Sequence, residues 1–181
     1  MKFRYIRNIE LLTKHTSDMK ALPGDVICVT GRLGKPYGNE GDQSPTPLSE
    51  KRTFLLQSKY VHSLTMLSNG LDAELKVITN RSNVSAEIEL ENIPFSDAMM
   101  KEYGSHLSQL YQTVLHGDNN KELLLTVDSI HFADLNAQYY EKFGEKLLAF
   151  GRIVNGDPNH INYIENGFGL MSIGSQWEHL C

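Results

Sequence analysis

Residues 84–93, VSAEIELENI, set the reading of this chain. Val84, Ala86, Ile88 and Leu90 alternate with Ser85, Glu87, Glu89 and Glu91. A period of two is the mark of a strand with one apolar and one wet face. Pro94-Phe95-Ser96 ends the strand, and Ser96 has the chemistry of a helix N-cap, with Asp97 beside it at the positive helix end. Met99, Met100, Tyr103, Leu107, Leu110, Tyr111 and Val114 then recur at three- and four-residue spacing, which predicts one long amphipathic helix closed by Gly117-Asp-Asn-Asn120. A clean strand feeding a clean helix points to an α+β fold.

Upstream, Leu22-Pro-Gly-Asp25 reads as a turn and Val26 to Thr30 as a strand. A short amphipathic helix is expected before Leu22, from Ile6, Ile9, Leu11 and Leu12. Residues 34–50 contain Pro36, Gly38, Gly41, Pro45 and Pro47 and predict a flexible surface loop. Thr53 to His62 and Leu71 to Ile78 are strand candidates, joined by a hairpin-like turn at Ser68-Asn69-Gly70. Downstream, Glu122 to Phe132 is strand-like, and Asn136 to Phe143 is a short helix ended by Gly144. Strands follow at Lys146 to Asn155, Ile161 to Ile164 and Gly169 to Ile173, and Ser175 starts a last helical turn. The expected architecture is one domain over residues 1–181, a mainly antiparallel sheet with one long helix and short terminal helices.

Composition narrows the classes. With 181 residues, 40% hydrophobic and 22% charged, the chain suits a soluble globular domain with its own core. A net charge of -5 opposes binding nucleic acid through a broad basic surface, because that affinity comes from neutralised phosphates. No apolar run reaches the ~20 residues that span a bilayer, and no signal peptide is evident. Two cysteines, Cys28 and Cys181, exclude a disulfide framework and a four-thiolate zinc site. The sequons at Asn80 and Asn83 would matter in a secreted β-rich binding module.

Catalytic signatures are sparse. In GRLGKPYGNEGD, residues 31–42, Lys35 is followed by Pro36 rather than a hydroxyl residue, so the phosphate-loop pattern fails, and the glycine spacing is not that of a dinucleotide fingerprint. His116 with Asp118 and His131 with Asp134 could serve a metal-dependent hydrolase. Cys28 lies in an apolar run and reads as a buried hydrophobe. Trp177, Tyr139 and Tyr140 are candidates for core or interface. The row Glu87, Glu89 and Glu91 is the candidate partner-binding surface, facing solvent or a basic protein. No cofactor is expected, and enzyme activity is left open.

Taken as ordered phrases, residues 11–33 (LLTKHTSDMKALPGDVICVTGRL), 89–111 (ELENIPFSDAMMKEYGSHLSQLY), the strand-to-helix passage from Leu123 to Phe143, 144–156 (GEKLLAFGRIVNG) and 169–180 (GLMSIGSQWEHL) resemble the Beside-A-Membrane (BAM) domain of the mitochondrial RING-type E3 ubiquitin ligases. The family's transmembrane segments and zinc-binding RING have no counterpart here. The resemblance implies a noncatalytic protein-binding or stress-sensing domain in the protein ubiquitination pathway, on the intermembrane-space side of the mitochondrial outer membrane. Protein partners are then expected, and no nucleic acid.

Overall fold

The computed structural model describes residues 19–34, 46–117, 121–173 and 176–179. Its strands are β1 (Val26–Val29), β2 (Val61–Met66), β3 (Ser85–Glu89), β4 (Leu123–Val127), β5 (Leu148–Val154), β6 (Ile161–Glu165), β7 (Phe168–Ile173) and β8 (Gln176–His179). They form one sheet in the order β2-β4-β1-β5-β3-β6-β7-β8. Every pairing is antiparallel except β3 with β6. The helices are α1 (Leu48–Gln57), α2 (Leu71–Ser82), α3 (Asp97–Tyr103), α4 (Leu107–His116) and α5 (Phe132–Phe143). The fold is α+β with a mainly antiparallel sheet.

Strand β4 shows how the layers form. Its Leu124 packs into one hydrophobic cluster, while Leu123, Leu125 and Val127 pack into another, so successive side chains serve opposite faces of the sheet. The first cluster joins Ile27, Ile88, Ile153 and Tyr163 of the sheet to Leu75 and Ile78 of α2 and Leu110 and Val114 of α4. The second joins Cys28, Leu64 and Leu125 to Leu55 of α1 and to Tyr139 and Phe143 of α5. This second cluster contains no residue of β3 or β6. On those strands, of the side chains facing away from the first cluster, Glu87, Glu89, Asn162 and Ile164 are half-buried or exposed, whereas Ser85 is buried and donates to the His160 carbonyl.

Ser96 caps α3 as its sequence suggests: its Oγ accepts from the Met99 N–H at 3.2 Å and donates to the Gly34 carbonyl at 2.8 Å. The amphipathic stretch that follows runs as two helices meeting at Gly104–His106. Gly144, at φ 70°, closes α5, which begins four residues before the expected start.

One expected strand is a helix and another is helical over part of its length. Residues 71–78 belong to α2, where Leu71, Leu75 and Ile78 fall on one helical face and are all fully buried. The stretch from Thr53 to His62 divides between the end of α1 and the start of β2. In a short apolar run both periods fit, and packing against the sheet decides. Ser68-Asn69-Gly70 is therefore a strand-to-helix turn rather than a hairpin. The expected last helical turn is strand β8. The helix expected before Leu22 and most of the loop expected at 34–50 lie outside the described residues, but residues 48–50 already belong to α1.

Candidate functional site

Three strand ends and two helix ends meet at one corner of the sheet. The C-terminal ends of β1 and β2 lie beside the start of β4, with the Thr30 N–H bonded to the Leu123 carbonyl at 3.1 Å and the Leu67 N–H to the Glu122 carbonyl at 2.9 Å. Helix α2 starts there at Gly70, and α4 ends against it. A Cβ on Gly70 would lie 2.7 Å from the Leu115 carbonyl oxygen, and its φ of 90° also favours glycine.

Two carboxylates are sunk into this corner. Glu122, 6% exposed, accepts a 2.7 Å hydrogen bond from Thr30 Oγ1, and that hydroxyl accepts from the Leu123 N–H at 2.9 Å. Gly31 makes room for this carboxylate, since a Cβ there would meet its Oε1 at 2.5 Å. Glu74, 5% exposed in the first turn of α2, accepts from Thr65 Oγ1 at 3.1 Å, Ser68 Oγ at 3.0 Å and Asn69 Nδ2 at 3.0 Å. Buried carboxylates persist where hydrogen bonds replace their hydration, and here the donors are the neighbouring hydroxyls and amide. The outcome is a fixed wall of oxygen and amide groups, with Ser68 and Asn69 exposed on its rim. Among the described residues no group of three His, Cys, Asp or Glu side chains is placed to hold a metal ion.

The opposite end of the same strands carries two His–Asp pairs. His62 Nδ1 lies 2.9 Å from Asp25 Oδ1, and Asp25 Oδ2 also accepts from the Leu22 N–H at 2.9 Å. His131 stacks on Tyr60 with ring centroids 3.9 Å apart, and its Nδ1 is 3.3 Å from Asp128 Oδ2. Hydrogen bonds from the Ile130 backbone and from His131 hold the Asp128 carboxyl below its usual value. These pairs close turns, and they do not assemble the hydrolase expected of His131 with Asp134. Asp118, the other expected partner, lies outside the described residues.

The remaining sequence candidates are dispersed. Cys28 is fully buried, and burial pushes its thiol far above the ordinary value, which removes it as a nucleophile. Tyr139 is a core residue, whereas Tyr140 is exposed with Lys146 Nζ 5.6 Å from its ring centre. Trp177 falls in β8. Glu87 is tied to Arg152 across β3 and β5, with Oε2 2.7 Å from Nε and 2.5 Å from Nη2. Glu89 accepts from Asn92 Nδ2. Glu91 has left the strand for a 3₁₀ turn (Leu90–Asn92) and accepts from the Asn166 N–H.

Sequence reasoning missed the Glu74 and Glu122 corner. Its one local signal was an acid in the first turn of a helix behind a Ser-Asn-Gly turn, which became visible once 71–82 was helical. The Thr30 to Glu122 contact joins residues 92 apart in the chain, and no local pattern announces it.

The chain is similar to known proteins first in fold and then in sequence. The fold is shared with a thiamine-monophosphate kinase from Stenotrophomonas maltophilia, at TM-score 0.59 and 24% identity over 82% of this chain and 52% of that one. It is shared also with the hydrogenase maturation protein HypE in complex with ATP, at TM-score 0.62 and 14% identity over 81% of this chain and 49% of that one. In sequence, the chain is 31% identical over 173 residues to the thiamine-monophosphate kinase of Pyrococcus abyssi, a match covering 88% of this chain and 51% of the relative. The chain thus spans about half the length of the curated relatives it matches. No family model matches it.

These findings overturn the resemblance to the BAM domain of E3 ubiquitin ligases. The phrases that suggested it are turn-strand and strand-cap-helix passages: residues 89–111 are the end of a strand, a 3₁₀ turn and two helices, an order many α+β folds can carry. With the resemblance fall the noncatalytic stress-sensing reading, the ubiquitination pathway and the mitochondrial outer-membrane location, all of which rested on it. The alternatives of a metal-dependent hydrolase and a secreted β-rich module gain no support from kinase relatives. Among the described residues no helix is long and apolar enough to cross a membrane.

Proposed function

We propose that the chain supplies one part of a phosphotransferase that acts on thiamine monophosphate with a nucleoside triphosphate as phosphoryl donor. The observation that carries this reading is the 31% identity to a thiamine-monophosphate kinase along 88% of the chain. The fold shared with a HypE solved in complex with ATP supports a nucleotide as the second ligand.

Phosphoryl transfer asks little covalent chemistry of a protein and much positioning and charge stabilisation. The corner built by Thr30, Gly31, Ser68-Asn69-Gly70, Glu74 and Glu122 suits that task. Its polar groups are held by mutual hydrogen bonds on strand and helix ends, so the rim presents a fixed surface to a ligand. We place the binding of thiamine monophosphate there.

The test is calorimetric titration of the purified 181-residue chain with thiamine monophosphate, then with magnesium ATP. Saturable binding of thiamine monophosphate, weakened by Asn69→Ala on the rim, is expected. Absence of binding up to millimolar ligand would overturn the reading.

A further inference from the structure

We infer that Glu74 is a positioning residue for the rim of this corner: its carboxylate orients the Ser68-Asn69-Gly70 turn, and the Asn69 amide in particular, for ligand binding. The inference rests on the functional reading above and adds to it the residue that sets the geometry of the site.

The hydrogen bonds show how the turn is held. Asn69 Nδ2 donates to Glu74 Oε1 at 3.0 Å and to Ser68 Oγ at 3.2 Å, so the amino side of the amide faces inward and its oxygen is turned away from Glu74. Ser68 Oγ donates to the same Oε1 at 3.0 Å, while Thr65 Oγ1 fixes Oε2 at 3.1 Å and ties the carboxylate to β2. From behind, Gly70 packs on the end of α4 so closely that a Cβ would overlap the Leu115 carbonyl. A turn clamped on both sides has few conformers to lose on binding a ligand. Removing the carboxylate frees Asn69 to rotate and leaves three donors without their acceptor.

The chemistry also predicts which substitution is tolerated. The side chain of Glu74→Gln keeps one acceptor oxygen, which serves Ser68 and Asn69. Its new amino group meets Thr65 Oγ1, a hydroxyl that can turn and accept. The side chain of Glu74→Asp is one methylene shorter and draws its carboxylate back from the turn.

The experiment measures thiamine monophosphate affinity for the full chain and for E74Q, E74D and E74A, and records the side-chain amide signals of Asn69 in nitrogen-15 NMR spectra. Loss of a charge-assisted hydrogen bond corresponds to about tenfold in affinity. E74A and E74D are expected to bind about tenfold more weakly, with the Asn69 signals moved toward those of a free amide. E74Q is expected to stay within about threefold of the unaltered chain, with the signals in place. E74D serves as the test should E74A not fold. Unchanged affinity in E74A or E74D, or unmoved Asn69 signals in them, would overturn this inference alone. Failure of the unaltered chain to bind thiamine monophosphate would overturn the functional reading and this inference together.

Discussion

Lys51 of α1, only 1% exposed, places its Nζ 2.5 Å from Oε2 of Glu145, the second residue after α5. The pair clips the two helices that cover one face of the sheet, and its two members are unequally buried. Glu145 retains 28% exposure of its side chain and can be hydrated when left alone, whereas the Lys51 ammonium cannot. Removing the partner of a buried charge costs about 3–5 kcal/mol, while replacing the buried charge itself by an apolar group of similar volume is often neutral. Glu145→Ala should therefore lower the melting temperature by roughly 10 °C. Lys51→Met should change it little, and thermal unfolding of the two variants checks the asymmetry.

Gly70 and Gly144 both have positive φ, at 90° and 70°, but only Gly70 is hemmed in. A Cβ on Gly144 meets nothing within 4 Å, whereas one on Gly70 would press on the Leu115 carbonyl. Gly144→Ala should cost about 1 kcal/mol, the penalty of the left-handed conformation. Gly70→Ala adds a steric clash to that penalty and should cost more than 2 kcal/mol or so. Urea denaturation of both variants measures the difference, and equal losses would refute the packing argument.

Tyr139 contributes its ring to the second hydrophobic cluster, yet among the described residues its buried hydroxyl has no hydrogen-bond partner. A buried polar group without a partner is a net loss of roughly 1–3 kcal/mol. Tyr139→Phe keeps the ring contacts with Phe54 and Phe143 and should raise stability by about 1 kcal/mol. A lower melting temperature would show that the hydroxyl is bonded, for instance to an ordered water.

Among the described residues four phenols have raised proton affinity: Tyr103, through its hydrogen bond with Glu102, and the buried Tyr111, Tyr139 and Tyr163. Burial, followed by the negative charge of Glu165 and Glu91, pushes Tyr111 up to about 12. Burial raises Tyr139 and Tyr163 as well, Tyr163 with the added effect of Asp72, which accepts its hydroxyl at 2.6 Å. The folded values lie above the unfolded one, so the unfolded chain loses these protons first. Stability is therefore intact below about pH 10 and falls as pH rises from there toward 12. Phenolate absorbance followed across that range should appear together with unfolding, and Tyr111→Phe should flatten the alkaline fall. Early ionisation of the buried phenols in a chain that is still folded would contradict their burial.

What the sequence disclosed and what it withheld follow a physical line. The strand at 85–89 was legible because one of its faces is wet, and the alternation wrote itself into VSAEIE. The Ser96 cap was legible because a cap is a contact between neighbours. Helix α2 was not, because Leu71, Ala73, Leu75 and Val77 alternate with Asp72, Glu74 and Lys76 as in a strand, while Leu71, Leu75 and Ile78 fit a helix, and only the sheet decides between the two. The corner was hidden further still. Glu74 and Glu122 look like ordinary surface acids in the sequence, and only the meeting of β1, β2 and β4 buries them. The family resemblance failed for the same reason, since short local phrases repeat across unrelated folds whereas the strand order that distinguishes them is written in distant pairings.

That strand order also sets a timetable. Strand β1 forms near the start of the described chain, but its two neighbours are β4 and β5, which lie about a hundred residues further on. During synthesis its backbone donors and acceptors wait without ladder partners until those strands have left the ribosome. A nascent chain of this protein thus carries an apolar strand with open edges through much of its translation, the condition under which chaperones are recruited and non-native pairing competes. Long-range closure of this kind makes folding slow compared with a helical bundle of similar size.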